Sequence, residues 1–470
     1  MRRNSAVQLD MVHGPLAGKM LMFAIPLILT TMLQLLFNAA DIIVVGQFSG
    51  EGAVAAVGST SFLINLLINF FAGISIGATA YISAEIGRNK LEGVSRAAHT
   101  SVMIGLIFGI AVGLIGVFGA EIFLRWMSTP ADVLDQATLY LRIYFAGTPF
   151  FMVYTFARAV FITSGDTKSP LIYLTIAGAV NVIINLILVI VFDMGVAGVA
   201  IGTVASQFVS VVLMLGKMSV TEGPLGLDLK KIRIDKPALA KILYLGIPAG
   251  LQTLVFSVSN VMIQSSVNSL GMLYVAGNSA ASNVEGFVWT SMEAFNQTAM
   301  TFMGQNYGAG KYERFNKIYF ISSGFCFLVG VGLGLIVLVF RVPILSFYLP
   351  TSEQAVYYGS LRLFIFMTTY WTCGLMNVAA GCARGLEHPL FPMIVSMVGV
   401  CGLRVFWIIK GFPWSIERFG TEIGYQTLVA TYPVSWVITG SVLIVYYFYV
   451  RKKIMVSHSA EQIPKQGDIS

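Results

Sequence analysis

The chain has 470 residues, of which 56% are hydrophobic and only 11% are charged, and its mean hydropathy is +0.80. Soluble proteins carry charge on roughly 25% of their residues, because ionised side chains keep a surface in water, so this composition excludes an ordinary soluble protein. The formal net charge of +7 does not indicate a nucleic acid partner, since positive residues of membrane proteins collect in cytoplasmic loops.

Twelve stretches of low charge predict transmembrane helices, because about 20 residues at a rise of about 1.5 Å cross the roughly 30 Å hydrocarbon layer. Backbone groups in lipid must hydrogen-bond one another, which favours helices there. In chain order the predicted spans are 21–45, 55–82, 98–120, 135–157, 171–192, 198–217, 242–266, 275–303, 318–340, 356–382, 392–410 and 425–450.

Positive charge is distributed unevenly between the segments that connect these spans. Of the 29 Lys and Arg residues, 22 fall on one side of the membrane and 4 on the other. The side rich in positive charge is expected to be cytoplasmic. We therefore predict a multi-pass protein of the cell membrane, inner or plasma, with both termini in the cytoplasm.

The two halves of the sequence repeat at a nearly constant offset. Ile25-Pro26 and Ile247-Pro248 each open a first span, and Asn38 corresponds to Asn260. Each half holds an even number of spans, so the halves keep the same orientation, and parallel repeats of this kind place a cavity between them. The fold class is predicted as an all-α polytopic membrane protein of twelve transmembrane helices in two pseudo-symmetric six-helix lobes. The predicted organisation is an amino-terminal lobe, a cytoplasmic linker, a carboxy-terminal lobe and a disordered cytoplasmic tail at 1–217, 218–241, 242–455 and 456–470.

Asp41 is the only acid in the first span, and a carboxylate in the bilayer costs at least ~2.5 kcal/mol. Helical rise places Asp41, Asn185 and Thr203 about 6, 10 and 8 Å below the outer ends of their spans. Asn181 lies one turn from Asn185 on the same helix face. These four residues are predicted to couple transport to a proton or a Na⁺ ion near Asp41. A solvated or capped Asp41, and direct helix–helix hydrogen bonds of Asn181 and Thr203, remain alternatives.

Glu285 and Arg404 are both expected near the middle of the bilayer, about 15 Å from the outer end and about 18 Å from the inner end of their spans. A lone charge is least tolerable there, so we predict that the two form a structural ion pair. Alternatively, Glu285 faces a cavity and binds cationic substrates. The predicted lining of that substrate cavity is Gln34, Phe37, Phe256, Glu285, Trp289 and Glu293.

Sequence motifs for nucleotide-driven or metal chemistry are absent. No GxxxxGK[ST] phosphate loop occurs, so an ion gradient is expected to supply the energy. The four cysteines and four histidines lack metal-ligand spacing. We therefore predict a transporter and not an enzyme, with no cofactor apart from H⁺ or Na⁺ as the coupling ion, acting as a monomer.

Several sequence runs resemble the multidrug and toxic compound extrusion (MATE) family of transporters. The run NAADIIVVGQFSG at 38–50 is similar to the first loop region of that family, and GDTKSP at 165–170, GVAGVAIG at 195–202 and QNYGAG at 305–310 match further signatures. The resemblance extends over about 16–450 and is closest to the prokaryotic DinF-related branch.

The resemblance implies a V-shaped MATE-like fold that exports organic cations and toxic compounds against proton or sodium influx, with small-molecule substrates and membrane lipids as partners. Asp41, Asn181 and Thr203 match polar positions on helices 1, 5 and 6 of the family. The helix 5 Asp of many members is Asn185 here, which leaves Asp41 as the expected sole titrating centre of the first lobe. Acids that some members carry on helices 7 and 10 are absent from spans 242–266 and 356–382.

Three functions are compatible with these sequence features. The first is an antiporter that exports small lipophilic or cationic compounds, such as drugs, toxins or metabolites. The second is a flippase or exporter of an envelope lipid, polysaccharide precursor or metabolite in the same superfamily. A passive channel is the remote third, because it would require no coupling acid.

Overall fold

The computed structural model describes residues 9–228, 230 and 233–461, with the side chains at 51 and 459–461 excepted. Within these residues the chain forms helices and no strand. The helices are α1 (Leu16–Gly50), α2 (Gly52–Gly87), α3 (Leu91–Trp126), α4 (Ala131–Ala146 and Thr148–Thr163), α5 (Lys168–Val191), α6 (Gly195–Val220), α7 (Lys236–Asn268), α8 (Met272–Gly308), α9 (Tyr312–Tyr348), α10 (Glu353–Gly385), α11 (Leu390–Phe419) and α12 (Thr421–Glu461).

These helices confirm the predicted all-α polytopic fold. Ten of them are long and apolar enough to cross a membrane, and the bent α4 makes an eleventh span if its two parts are taken together. Helix α8 has 37 residues but is more polar, because its buried face carries residues such as Asn278, Glu285 and Asn296. Polar groups are tolerated at membrane depth when they face protein and not lipid. Each predicted span falls on one of these helices, and only the fifth, 171–192, continues slightly past the end of its helix.

Two glycines separate or bend the helices of the first half. Gly50 adopts φ +83°, a left-handed conformation that costs glycine little, and it divides α1 from α2. Gly147 separates the two parts of α4, which are bent by 45°. Pro149 stands at the start of the second part, where a missing N–H leaves no helical hydrogen bond unmade.

The structure divides into two compact units, the first ending at Leu254 and the second beginning at Val255, so the boundary lies within α7. The predicted linker is shorter in the structure, since α6 continues to Val220 and α7 begins at Lys236. The predicted bounds of the two lobes stay a prediction, and so does the cytoplasmic location of the linker.

The start of the predicted disordered tail continues helix α12, which extends to Glu461. The ring of His458 packs edge-on against Tyr312 with centroids 4.8 Å apart, and this contact supports the end of the helix. Residues 462–470 lie outside the described residues. The same is true of four residues in the charge count, Arg2, Arg3, Lys231 and Lys465.

Helix packing in each unit places polar side chains next to one another. In the first unit α1 contacts both α5 and α6, and α5 contacts α6. In the second unit α10 packs against α8, α9 and α12. These two sets of neighbours contain the intramembrane charges described below.

Candidate functional site

Asp41 lies on α1 and receives hydrogen bonds from the two helices that pack beside it. Asn185 Nδ2 on α5 donates to Asp41 Oδ1 at 2.6 Å, and Thr203 Oγ1 on α6 lies 3.4 Å from Asp41 Oδ2. The Asp41 side chain is half-buried, and Asn185 is almost fully buried. The carboxylate therefore faces the interior of the first unit and does not turn outward into bulk solvent.

The Thr203 hydroxyl has a second and closer partner. Its Oγ1 lies 3.0 Å from the Val199 carbonyl oxygen in the preceding turn of α6. A hydroxyl has one hydrogen to donate, so when that hydrogen is given to Val199 the Oγ1 lone pairs face Asp41. Two oxygens then approach each other across 3.4 Å, an arrangement that a proton on Asp41 or a cation between them would relieve.

Asn181 extends the polar cluster by one helical turn. Asn185 Nδ2 lies 3.5 Å from Asn181 Oδ1, and both residues are buried. Asn185 Oδ1 is buried with no hydrogen-bond partner among the described residues. Carboxylate, amide and hydroxyl oxygens are ligands suited to a hard cation, so the residues present fit either a proton on Asp41 or Na⁺ beside it.

Two glycines give this cluster its space. A Cβ at Gly202 on α6 would collide with Asn185 Oδ1, and one at Gly178 on α5 would collide with the Phe37 ring on α1. Gly178, Asn181 and Asn185 follow helical spacing on one face of α5, which the packing turns toward α1. A π-helical turn at Ile187–Val191 begins two residues after Asn185. Such turns frequently occur at functional sites because they locally re-aim the helix.

The structure thus brings together Asp41, Asn181, Asn185 and Thr203, the four residues that the sequence suggested for ion coupling. Among the described residues, none of the four contacts a cationic side chain, and no group of three or more His, Cys, Asp or Glu side chains could hold a metal. Their role in coupling is taken up as a proposal below.

The predicted ion pair between Glu285 and Arg404 is wrong. Glu285 on α8 instead accepts from Arg362 on α10, from Nε to Oε1 at 2.7 Å and from Nη2 to Oε2 at 2.8 Å. Arg362 Nη1 also donates to Asn278 Oδ1 at 2.8 Å. The prediction compared only the depths of Glu285 and Arg404 in the bilayer. The helix that packs beside α8 is α10, so Arg362 on α10 reaches the Glu285 carboxylate.

The six residues predicted to line a substrate cavity are divided between the units. Gln34 and Phe37 belong to α1 in the first unit, and the second unit holds Phe256, Glu285, Trp289 and Glu293. The Trp289 ring stacks on Tyr370 with centroids 6.4 Å apart. Glu293 accepts a hydrogen bond from Asn296 Nδ2 at 2.6 Å. Their role in substrate binding stays a prediction.

Ten helices of the described residues, or eleven with the bent α4, are long and apolar enough to cross a membrane, and charged and amide side chains are bonded to one another inside each unit. These features define a multi-pass membrane protein of the transporter class. The family model described as MatE matches residues 26–187 and 248–408, which together exceed half of the chain. The chain therefore belongs to the MATE family of multidrug efflux transporters. The two matched segments also confirm the internal repeat.

Curated relatives and solved structures agree with this assignment. The chain is 26% identical over 448 residues to the probable multidrug resistance protein YoeA of Bacillus subtilis (strain 168), covering 93% of this chain and 95% of that protein. It is 26% identical over 454 residues to the probable multidrug resistance protein YpnP of the same organism, covering 95% and 98%. A solved outward-facing multidrug resistance MATE family transporter matches with a TM-score of 0.88 at 18% identity, covering 97% of this chain and 100% of that one. At that identity the structural match shows the fold.

Proposed function

We propose that the protein is a secondary active antiporter that exports small lipophilic or cationic compounds in exchange for H⁺ or Na⁺ by alternating access. The observation that carries the proposal is the half-buried Asp41 carboxylate, held by Asn185 and Thr203 and without a cationic partner among the described residues. A carboxylate in a membrane interior needs a compensating positive charge. A transported cation would supply that charge once in each cycle.

The amide at position 185 suits a site that alternates between two charge states. In the present geometry Asn185 donates to Asp41, which stabilises the ionised carboxylate. A rotated amide would instead accept a hydrogen bond from a protonated carboxyl group, because an amide has both a donor and an acceptor end. A second carboxylate at this position could not donate while ionised. Asp41 is thus the group that would carry the exchanged charge.

A single exchanged charge is energetically sufficient for useful accumulation. One net charge crossing 100 mV supplies about 2.3 kcal/mol, which corresponds to roughly fiftyfold accumulation of an uncharged substrate. One titrating acid in the first unit, Asp41, is therefore enough to carry the exchanged charge.

The cellular setting follows from the same proposal. We place the transporter in the cell membrane with both termini in the cytoplasm, where the excess of Lys and Arg is expected. It would act as a monomer on small-molecule substrates, with membrane lipids as its other partners.

The test is transport by purified Asp41→Asn protein in proteoliposomes loaded with a fluorescent organic cation. A proton gradient is imposed in one arm and a sodium gradient in the other, with the second ion equal on both sides, so the arms identify the coupling ion. We expect a loss of gradient-driven transport of about tenfold or more, because the asparagine cannot titrate or supply the anionic charge.

The matched control is Asp193→Asn. Asp193 is exposed in the turn between α5 and α6 at φ +52°, a backbone conformation that asparagine readily adopts. Its transport should equal that of the wild type. Unchanged gradient-driven transport by Asp41→Asn would remove Asp41 from the mechanism and overturn the proposal.

A further inference from the structure

Arg404 on α11 is a second intramembrane charge, and it lies in the second unit. Its side chain is only 3% exposed. Nε donates to Ser435 Oγ on α12 at 3.3 Å, and Nη1 donates to Asn260 Oδ1 on α7 at 3.2 Å. The guanidinium carbon lies 4.0 Å from the centroid of the Tyr432 ring. All of these partners are neutral.

The charge of Arg404 is not balanced within the described part of the chain. Arg362 has the Glu285 carboxylate, whereas no carboxylate oxygen lies within 4.0 Å of an Arg404 nitrogen. A guanidinium has five N–H groups, and only two of them have an acceptor in Ser435 and Asn260. Three N–H groups are therefore left to bind something else.

The site can be approached from one side. Tyr432 and Ser435 are buried, but Asn260 is exposed and lies next to the guanidinium. The Tyr432 ring also faces Arg362, whose guanidinium carbon is 5.4 Å from the ring centroid. Glu285 neutralises Arg362, so the cluster of Arg362, Glu285, Tyr432 and Arg404 keeps the one net positive charge of Arg404. This charge lies next to the exposed Asn260 amide.

Each half of the chain has a polar pair that joins its fifth helix to its first helix. Asn260 follows Asp41 at the spacing at which Arg404 follows Asn185, although the offset of the two Ile-Pro pairs aligns Asn260 with Asn38, which precedes Asp41 by three residues. The spacing of Asp41 and Asn260 differs from the spacing of the two family-model matches, which begin at positions 26 and 248, by less than one helical turn. In both halves the residue on the fifth helix donates a hydrogen bond to the residue on the first helix.

The two hydrogen-bonded pairs carry opposite charge. The first half holds a carboxylate and an amide, whereas the second half holds an amide and a guanidinium. The Asp41–Asn185 pair is suited to a cation because it offers a carboxylate. The Asn260–Arg404 pair is suited to an anion because three N–H groups of Arg404 have no acceptor in Ser435 or Asn260.

We propose that Arg404, Asn260, Ser435 and Tyr432 form an anion subsite that binds the carboxylate of a transported compound. The planar guanidinium can bind a carboxylate through two parallel N–H donors, and the Tyr432 ring holds its plane in place. This inference rests on the proposed export function and extends its substrates to compounds that bear an anionic group, zwitterions included.

The first test is equilibrium dye binding to the purified full chain in detergent, followed by fluorescence anisotropy. Carboxyfluorescein carries anionic groups on a xanthene ring system, and rhodamine 123 carries a positive charge on a closely related one. Arg404→Gln should weaken carboxyfluorescein binding about tenfold or more and leave rhodamine 123 binding within about twofold. The matched control is Arg418→Gln, a change at an exposed arginine near the end of the same helix, which should alter neither dye.

A second variant keeps the inference testable if Arg404→Gln fails to fold. Asn260→Asp would place a carboxylate beside Arg404 and pair with it, which favours folding and competes with a bound anion. It should therefore lower carboxyfluorescein affinity and spare that of rhodamine 123. The inference is overturned if the wild type shows no saturable carboxyfluorescein binding, or if the variants weaken both dyes equally or neither.

The binding assay separates this inference from the proposed function, because it uses no ion gradient. Failure of the proposed function would leave dye binding dependent on Arg404 while Asp41→Asn transports like the wild type. Failure of the anion subsite would leave transport dependent on Asp41 while dye binding ignores Arg404.

Discussion

Intramembrane charges of single residues are balanced differently in the two units. In the second unit both Glu285 oxygens accept from Arg362, so that carboxylate already has its cation. In the first unit the polar neighbours of Asp41 among the described residues are amide and hydroxyl groups, which carry no charge. A permanent partner makes an acid structural, whereas its absence leaves Asp41 able to bind and release an exchanged cation.

Removing the charge of Glu285 should therefore test a structural role. In Glu285→Gln the buried Arg362 loses its only carboxylate partner in the described chain, and breaking one side of a buried pair costs about 3–5 kcal/mol. The measurement is the free energy of unfolding of the purified protein in denaturant. The control is Glu121→Gln, which removes an exposed partner of Arg125 and should cost no more than about 1 kcal/mol. Equal small losses in both variants would contradict a structural pair.

Depth along the membrane explains which of these contacts the sequence could predict. Asp41, Asn185 and Thr203 had similar depth, and their helices proved to be neighbours, so the expected cluster is present. Glu285 and Arg404 also had similar depth, but depth carries no information about which helices are adjacent or how each is rotated. Helices that are apolar on all sides give no periodic signal for that rotation.

At the scale of helices, close packing depends on glycine. Along α3 the sequence places Gly105, Gly109 and Gly113 four residues apart, and each faces the backbone of α4 or the residue before its bend. Small residues at this spacing let helix backbones approach in a membrane, where lipid provides little hydrophobic drive for association. The α3–α4 contact in turn supports the core beside α1.

Gly109→Ala should push these two helices apart. The added Cβ would lie 2.5 Å from Pro149 Cα and 3.1 Å from Pro149 N, and backbone atoms cannot rotate away. Overpacking of this kind costs about 1–3 kcal/mol, which should lower the midpoint of thermal unfolding. Gly216→Ala on α6 is the control, because nothing lies within 4 Å of its Cβ. That change should be neutral or raise stability by up to about 1 kcal/mol through helix propensity. A neutral Gly109→Ala would show that the contact is not tight.

Hydropathy predicted the number and position of the helices but not their shape. Each span was set by the length of apolar sequence, which the bilayer thickness fixes. The bend at Gly147, the break at Gly50 and the π-helical turn at Ile187–Val191 change backbone angles without changing hydropathy. Such local features depend on contacts between helices, which composition does not record.

At the scale of the whole molecule, the twelve predicted crossings would place both termini on the same side of the membrane. The excess of Lys and Arg in the connecting segments predicts that this side is the cytoplasm. The charge of the connecting segments sets the orientation while the chain inserts into the membrane. This orientation therefore does not depend on the helix packing that forms the clusters around Asp41 and Arg404. It can be measured without transport.

The two ends of α9 offer a direct measurement of orientation. Glu313 and Thr351 are exposed near the start and just beyond the end of this helix, and the four native cysteines are buried. In Thr351→Cys the new thiol should react with a membrane-impermeant maleimide added to intact cells, because the end of α9 is expected outside. In Glu313→Cys it should react only after the membrane is permeabilised, and the unsubstituted chain should stay unlabelled in both conditions. The reverse pattern would place both termini outside and would invert the direction of the proposed transport.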